Sequence, residues 1–197
     1  SGRFPLLLKL LDSAESLSVQ VHPDDDCAKR LGEPDVGKTE MWHVLQADPG
    51  SELICGLDPA VGREAFAHAV SGGSVETLLN RFPVQAGTSV FVAAGTVHAI
   101  GGGIVLAEIQ QNSDLTYRIY DWGRLGSDGK PRELHLEKAL EAIHFGSPHG
   151  GEAAPLACHA EDGAERTVLA ACRQFAADHI ACRGCYKRDT RGDSFHI

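Results

Sequence analysis

Residues 17–22 read Leu-Ser-Val-Gln-Val-His. Leu17, Val19 and Val21 alternate with Ser18, Gln20 and His22, a period of two that makes a strand with one apolar and one polar face. Gln20 and His22 therefore leave the same side. Pro23 and the run Asp24, Asp25, Asp26 end the strand, and a short helical stretch and the loop Gly32 to Gly37 follow.

The rest of the chain extends this pattern. Met41 to Leu45 and Ser51 to Cys55 read as short strands separated by Asp48, Pro49 and Gly50. From Val61 to Phe82 the period becomes helical, with Phe66, Ala69 and Val70, then Val75, Leu78, Leu79 and Phe82, around a Gly72–Gly73 break; two short helices are expected. Strand character returns in Val84 to Ala94, in Ile100 to Ile109 and in Tyr117 to Asp121. A hairpin signal stands at Asp128 and Gly129, and an amphipathic helix is expected from about Leu136 to Ile143. After His144 the composition turns to Gly, Pro, Ala and acidic residues up to about Arg166, which reads as a linker, and Val168 to Cys182 reads as strand. Many short strands, glycine-rich turns and few helices predict a mainly β fold: a β-sandwich or jelly roll with a few added α-helices.

A chain of 197 residues holds one sizeable domain or two small ones. Its 18 basic and 27 acidic residues, net −9, argue against nucleic acid or an anionic membrane as the main partner. A few local Lys and Arg can still form a pocket for a phosphorylated small molecule. No apolar run approaches the ~20 residues of a membrane span, Phe4 to Leu11 being interrupted by Lys9, and no signal-peptide pattern opens the chain; the expected compartment is the cytoplasm. The six cysteines (Cys27, Cys55, Cys158, Cys172, Cys182, Cys185) are irregularly spaced and read as free buried thiols, with Cys182 and Cys185 a lone CxxC. A start at Ser1, running almost at once into apolar residues, reads as a piece of a longer protein.

Two groups of residues carry chemistry. In the first, Gln20 and His22 share a strand face, Glu40 opens the next strand, and His98 follows the strand Ser89 to Ala93 and the turn Gly95–Thr96. Imidazole and carboxylate are the ligand types of catalytic zinc, and facing strands of a jelly roll can bring them into one barrel mouth. The competing reading is a set of hydrogen-bonded strand histidines, and spacing leaves both open. The second group is cationic: Lys9 between Leu8 and Leu10, Lys38 two residues before Glu40, and Arg118 in a strand-like run after Asn112, Ser113 and Asp114. A guanidinium suits a planar oxyanion and an ammonium a compact phosphate contact, although either is often simply solvated. Glu108 and Asp114 could act as acid or base, or as caps and ion-pair partners. His43 could be a core group or a ligand. Gly101 to Gly103 lacks the following helix of a phosphate loop. His135, His144, His149, His159, His179 and His196 show no partner pattern and read as surface residues.

Five ordered segments give a resemblance: FPLLLKLLD (Phe4 to Asp12), SVQVHPDD (Ser18 to Asp25), GKTEMWHVL (Gly37 to Leu45), VAAGTVHAIGGG (Val92 to Gly103) and EIQQNSDLTYRIYDWGR (Glu108 to Arg124). Together they resemble the type I mannose-6-phosphate isomerases, a zinc-dependent cupin family with a jelly-roll fold. The resemblance implies one zinc ion per chain held by Gln20, His22, Glu40 and His98, with an active-site arginine at Arg118. It implies pocket positions at Lys9, Lys38, Glu108 and Asp114, of which Lys38, Glu108 or Asp114 could be the base, and a sugar phosphate as substrate, interconverted between mannose 6-phosphate and fructose 6-phosphate. It further implies a catalytic cupin domain with a helical insertion over residues 1–145, and over 146–197 a linker and the start of a C-terminal jelly roll cut short at Ser194 to Ile197. Other readings are a non-catalytic metal- and sugar-phosphate-binding cupin, a cupin oxygenase, and an inactive fragment of the isomerase.

Overall fold

The computed structural model describes residues 4–126, 128–147, 151–161 and 163–189. Period-two alternation builds most of it. Strand β1 (Leu6–Ser13) puts Leu8 and Leu10 outward and Lys9 inward; β2 is Val19–Val21, shorter than the sequence pattern because Pro23 ends it and Ser16 to Ser18 approach as irregular backbone. Strands β3 (Glu40–Ala47) and β4 (Glu52–Leu57) follow the short helix α1 (Asp25–Arg30), which Asp24 caps by accepting from the Cys27 N–H.

Helix α2 (Arg63–Ser71) stops at Gly72, and a single 3₁₀ turn covers Val75–Leu78. The expected second helix does not extend to Phe82. Leu79–Pro83 is strand β5, because Leu79 and Phe82, spaced for a helix, are claimed instead by Leu57 and Leu53 across the sheet. Strands β6 (Ser89–Val92), β7 (His98–Ile100), β8 (Ile104–Gln111) and β9 (Tyr117–Tyr120) complete the sheets; an isolated bridge, Leu125 to Pro131, sits at the hairpin signal, and α3 is Leu136–Ala142.

The strands form two antiparallel sheets, ordered β1-β8-β3-β6 and β5-β4-β7-β2-β9. Trp42, Val44, Val90, Val92, Ile104 and Leu106 of the first meet Leu53, Cys55 and Ile100 of the second in one apolar cluster, which defines the inside of a sandwich. A second cluster lies on the other face of the five-stranded sheet. There Val19, Val21, Ile54, Ala99, Tyr117 and Ile119 pack under Cys27, Phe66, Ala139 and Ala142 of the helices. The short inner strands β2 and β7 are thus covered on both faces, and the polar side chains they turn inward must be satisfied inside the sandwich.

The chain divides into two compact units, Ser1–Ala153 and Ala154–Ile197. The second contains a three-stranded antiparallel sheet of β10 (Ala157–Glu161), β11 (Ala164–Ala171) and β12 (Ala176–Cys182). The expected linker to Arg166 is therefore too long: Ala157 to Glu161 has a loop-like composition but pairs with Ala164 to Val168. All six cysteines are free; Cys27 and Cys55 are buried as expected, whereas Cys158, Cys182 and Cys185 are exposed and Cys172 is half-buried. The sequence expectations at Ser194 to Ile197, and for His149 and His196, fall outside the described residues.

Candidate metal centre

The register of the five-stranded sheet places the first group. Gln20 on β2 lies opposite His98 on β7 and, on its other side, opposite Arg118 on β9; His98 in turn lies opposite Cys55 on β4. Residues opposite one another in antiparallel strands share a face, so these side chains form a row. His22, two positions beyond Gln20, extends it. From the facing sheet comes Glu40, between Gln110 on β8 and Val92 on β6, with the row Lys9, Glu108 and Trp42 beside it.

Local backbone contacts bring the ends of these strands together. Lys38 N donates to Pro23 O at 3.0 Å and Gly37 N to Asp25 Oδ1 at 2.9 Å. A Cβ at residue 37 would lie 2.5 Å from the Asp24 and Asp25 backbone, so only glycine permits this crossing, which seats Lys38 and Glu40 next to His22. On the other side Gly95 N donates to His22 O at 2.8 Å, tying the turn before His98 to the histidine of β2.

His22 Nδ1 lies 2.7 Å from Leu115 O and His98 Nδ1 2.8 Å from Thr96 O. A carbonyl only accepts, so each Nδ1 carries the proton and each Nε2 is left with its lone pair. Those lone pairs converge on Glu40, at 3.6 Å from His22 Nε2 to Oε2 and 3.4 Å from His98 Nε2 to Oε1. Lys38 Nζ stands 3.1 Å from both Glu40 Oε2 and His22 Nε2. The carboxylate contact is an ion pair whose geometry falls short of a hydrogen bond, so both oxygens of Glu40, a residue with no exposed surface, are buried without one. Gln20 Nε2 is 3.3 Å from His98 Nε2, and a half-turn of this amide presents its carbonyl oxygen there instead.

Burial dominates the titration of this group. It pushes the Glu40 carboxyl up to about 7 against the opposing pull of Lys38, and pushes His98 down to about 4. His22 is driven well below the ordinary imidazole value by burial first and then by Lys38. Neutral imidazoles, fixed as Nδ1–H tautomers, and an orphaned carboxylate whose ligand atoms all lie within 4.8 Å of one another are suited to a divalent cation. Lys38 stands in direct ion-pair contact with Glu40, with Lys9 acting from further away, and a cation would compete with Lys38 for the same lone pairs.

The cationic group is split. Lys9 Nζ donates to Glu108 Oε2 at 2.8 Å and to Gln110 Oε1 at 2.5 Å, while Trp42 Nε1 donates to Glu108 Oε1 at 3.2 Å. Both oxygens of Glu108 are therefore engaged. Gln110 was not singled out from sequence although it continues the inward alternation from Glu108; fully buried, it donates to Gln111 O and Ser113 O, which fixes the oxygen of its amide towards Lys9. Asp114 is exposed, in a turn where its N–H donates to Asp35 Oδ2 at 3.3 Å. Arg118 Nη1 donates to Glu133 O at 3.0 Å, and its Nε is buried with no partner among the described residues. His43 turns away from this group and meets Ser89 Oγ at 2.9 Å. Gly101 to Gly103 forms a turn bonded to Ser13 and Ser51.

A jelly-roll β-sandwich with a buried His-Glu-His group between its sheets defines a cupin-type protein with a metal-binding centre. Residues 1–41 match the family model "Phosphomannose isomerase type I, catalytic domain". The chain is 43% identical over 169 residues to a mannose-6-phosphate isomerase of Streptococcus mutans, covering 86% of this chain and 52% of that protein. Against mannose-6-phosphate isomerase ManA of Bacillus subtilis the identity is 46% over 145 residues, covering 74% and 46%. The crystal structure of a mannose 6-phosphate isomerase from Bacillus subtilis superimposes with a TM-score of 0.86 at 36% identity, over 93% of this chain and 58% of that one. A zinc-bound holo mannose 6-phosphate isomerase shares the fold at a TM-score of 0.62 and 16% identity, over 90% of this chain and 63% of that one. The chain belongs to the type I phosphomannose isomerase family and spans about half the length of the curated relatives it matches.

Proposed function

We propose that this chain carries the catalytic centre of an aldose–ketose isomerase that interconverts mannose 6-phosphate and fructose 6-phosphate. The observation that carries the reading is the buried Glu40 carboxylate, without a hydrogen bond and faced by two imidazoles of fixed tautomer, in a chain 43% identical to a mannose-6-phosphate isomerase. His22, Glu40 and His98, with the Gln20 amide beside them, would hold one zinc ion. Bound there, zinc supplies Lewis acidity towards the sugar oxygens.

The reaction moves a proton from C2 of the aldose to C1, and a hydroxyl proton from O2 to O1, through a cis-enediol; nothing is oxidised or reduced overall. Lys38 is the proposed proton-handling group, since its Nζ stands 3.1 Å from both His22 Nε2 and Glu40 Oε2. Glu108, committed to Lys9 and Trp42, serves to hold the Lys9 ammonium, and two of that ammonium's three N–H groups are used, leaving one for a phosphate oxygen. Arg118 presents a buried N–H to negative charge developing on the sugar. Asp114, exposed in its turn, is the weakest of the proposed bases.

The first 145 residues are proposed as the catalytic domain and the remainder as a connection to further structure. No helix among the described residues is long and apolar enough to cross a membrane. The proposed enzyme is cytoplasmic and acts on a soluble sugar phosphate and not on nucleic acid, and its free cysteines support a reducing compartment.

The test is proton NMR of mannose 6-phosphate in D2O with zinc-loaded protein, following fructose 6-phosphate and deuterium at C1 and C2. Turnover with exchange is expected. Neither, with zinc bound, overturns the isomerase reading for this chain and leaves a binding cupin.

A further inference from the structure

Arg118 lies on β9, an edge strand of its sheet, and the segment Glu133 to His135 bonds to its open side. His135 N donates to Arg118 O at 2.7 Å. The return bond of an ordinary ladder would run from Arg118 N to a backbone carbonyl, but here Arg118 N donates to His135 Nδ1 at 3.2 Å. The imidazole replaces the ladder acceptor. Because Nδ1 accepts, the ring proton sits on Nε2, which faces Glu133 Oε2 at 4.0 Å. Two residues earlier, Glu133 O accepts from Arg118 Nη1 at 3.0 Å.

One short segment therefore grips the backbone N–H, the backbone carbonyl and one end of the guanidinium of the same residue. What it leaves is the opposite edge of the fork. Nε is buried and unpartnered, and Nη2 makes no hydrogen bond among the described residues. Nε and Nη2 together are the pair of parallel N–H groups that meets two oxygens of an anion. Without the clamp, an arginine on an edge strand would sample several rotamers, and the unpartnered edge would keep one direction only part of the time.

We propose that His135 is the positioning residue for Arg118, its Nδ1 holding the strand in the register that lets Glu133 O fix the guanidinium with its Nε–Nη2 edge left unpartnered for substrate oxygens. The inference rests on the role proposed above for Arg118, and its own test is kept separate. The first measurement is side-chain nitrogen NMR of the full chain, with the Arg118 signals assigned by their loss in Arg118→Lys. In the wild type, the Nη1 bond to Glu133 hinders rotation and gives resolved Nη signals. His135→Ala is expected to merge them, whereas His135→Asn, whose Oδ1 reaches the place of Nδ1, keeps them resolved. Resolved signals in His135→Ala, or merged ones in His135→Asn, overturn the proposal.

The second measurement is a double-mutant cycle on isomerase turnover. His135→Ala is expected to lower kcat/KM by about tenfold or more through misplacement of Arg118, and by less than about twofold when Arg118 is already Ala. Metal content stays at the wild-type level. Equal losses in both backgrounds overturn the proposal, since His135 then acts independently of Arg118. Full activity of Arg118→Ala overturns the role given to Arg118 in the reaction, and the NMR comparison alone then decides whether His135 positions that side chain.

Discussion

Asp121→Asn is the substitution whose effect can be worked furthest from the geometry. Asp121 follows β9 directly and is 6% exposed. Its Oδ1 accepts from Arg124 Nη2 at 2.6 Å and from Arg132 Nη2, and its Oδ2 accepts from Arg132 Nε at 2.6 Å. Arg124 also donates to Ser16 O at 2.6 Å, so one carboxylate ties together both ends of the 121–132 excursion and the approach to β2. Hydrogen bonds to charged groups contribute about 1.5–3 kcal/mol each when buried. The arginines are 30% and 43% exposed and regain hydration when released, so the three bonds together are set at about 2–3 kcal/mol.

The pH dependence gives this prediction its sign. The hydrogen bond from Arg132, and then that from Arg124, hold the Asp121 carboxyl below the ordinary carboxylate range. A group whose folded value is depressed contributes fully above its unfolded value, about 4, and loses that contribution as pH falls through the folded value. Urea unfolding of wild type and Asp121→Asn should therefore differ by about 2–3 kcal/mol at pH 7, and the gap should close as the pH is lowered below about 4. A gap that is independent of pH, or below about 0.5 kcal/mol at pH 7, refutes the reasoning.

Phe66→Ala removes a side chain with no exposed surface from the helix-covered cluster and should cost about 3–5 kcal/mol, read as a lower urea midpoint with unchanged slope. Gly95→Ala places a Cβ 2.5 Å from the His144 ring at a φ of +84°; because His144 is exposed and can swing aside, a loss of about 1–2 kcal/mol is expected by thermal unfolding, with weaker zinc binding because Gly95 N holds His22 O. His98→Ala should abolish both stoichiometric metal and activity, measured by elemental analysis and the NMR assay, and activity without metal would remove zinc from the proposal.

Much of the architecture is legible because it rests on local rules. The alternation in Leu17 to His22, the strand character of Ile100 to Ile109, the helical spacing around Phe66, and Pro23 as a terminator all act over a few residues, and the elements appear close to where these patterns put them, with Ile100 to Ile109 divided by the Gly101 to Gly103 turn between β7 and β8. Leu79 to Pro83 was not legible as strand, since two leucines and a phenylalanine at helical spacing carry no record of Leu53 and Leu57 waiting across the sheet. Nor was β10, whose alanines have weak intrinsic preference and become strand only by pairing with β11. His135 shows the same limit at a single residue. Alone in its segment it has the pattern of a surface histidine; 17 positions from Arg118 in sequence, it is that residue's hydrogen-bond partner in space.

By itself the sequence determined a mainly β chain of acidic charge, the facing of Gln20 and His22 on one strand, and the family through five ordered motifs. Only the tertiary structure decided which lone pairs meet. Leu115 and Thr96 set the imidazole tautomers, Gly37 lets Lys38 and Glu40 cross beside Pro23, and Gln110 turns Lys9 towards Glu108. Periodicity constrains which way a side chain points from its own strand. The distances between side chains of different strands, and the burial that leaves the Glu40 carboxylate without a hydrogen bond, exist only once two sheets have closed on one another.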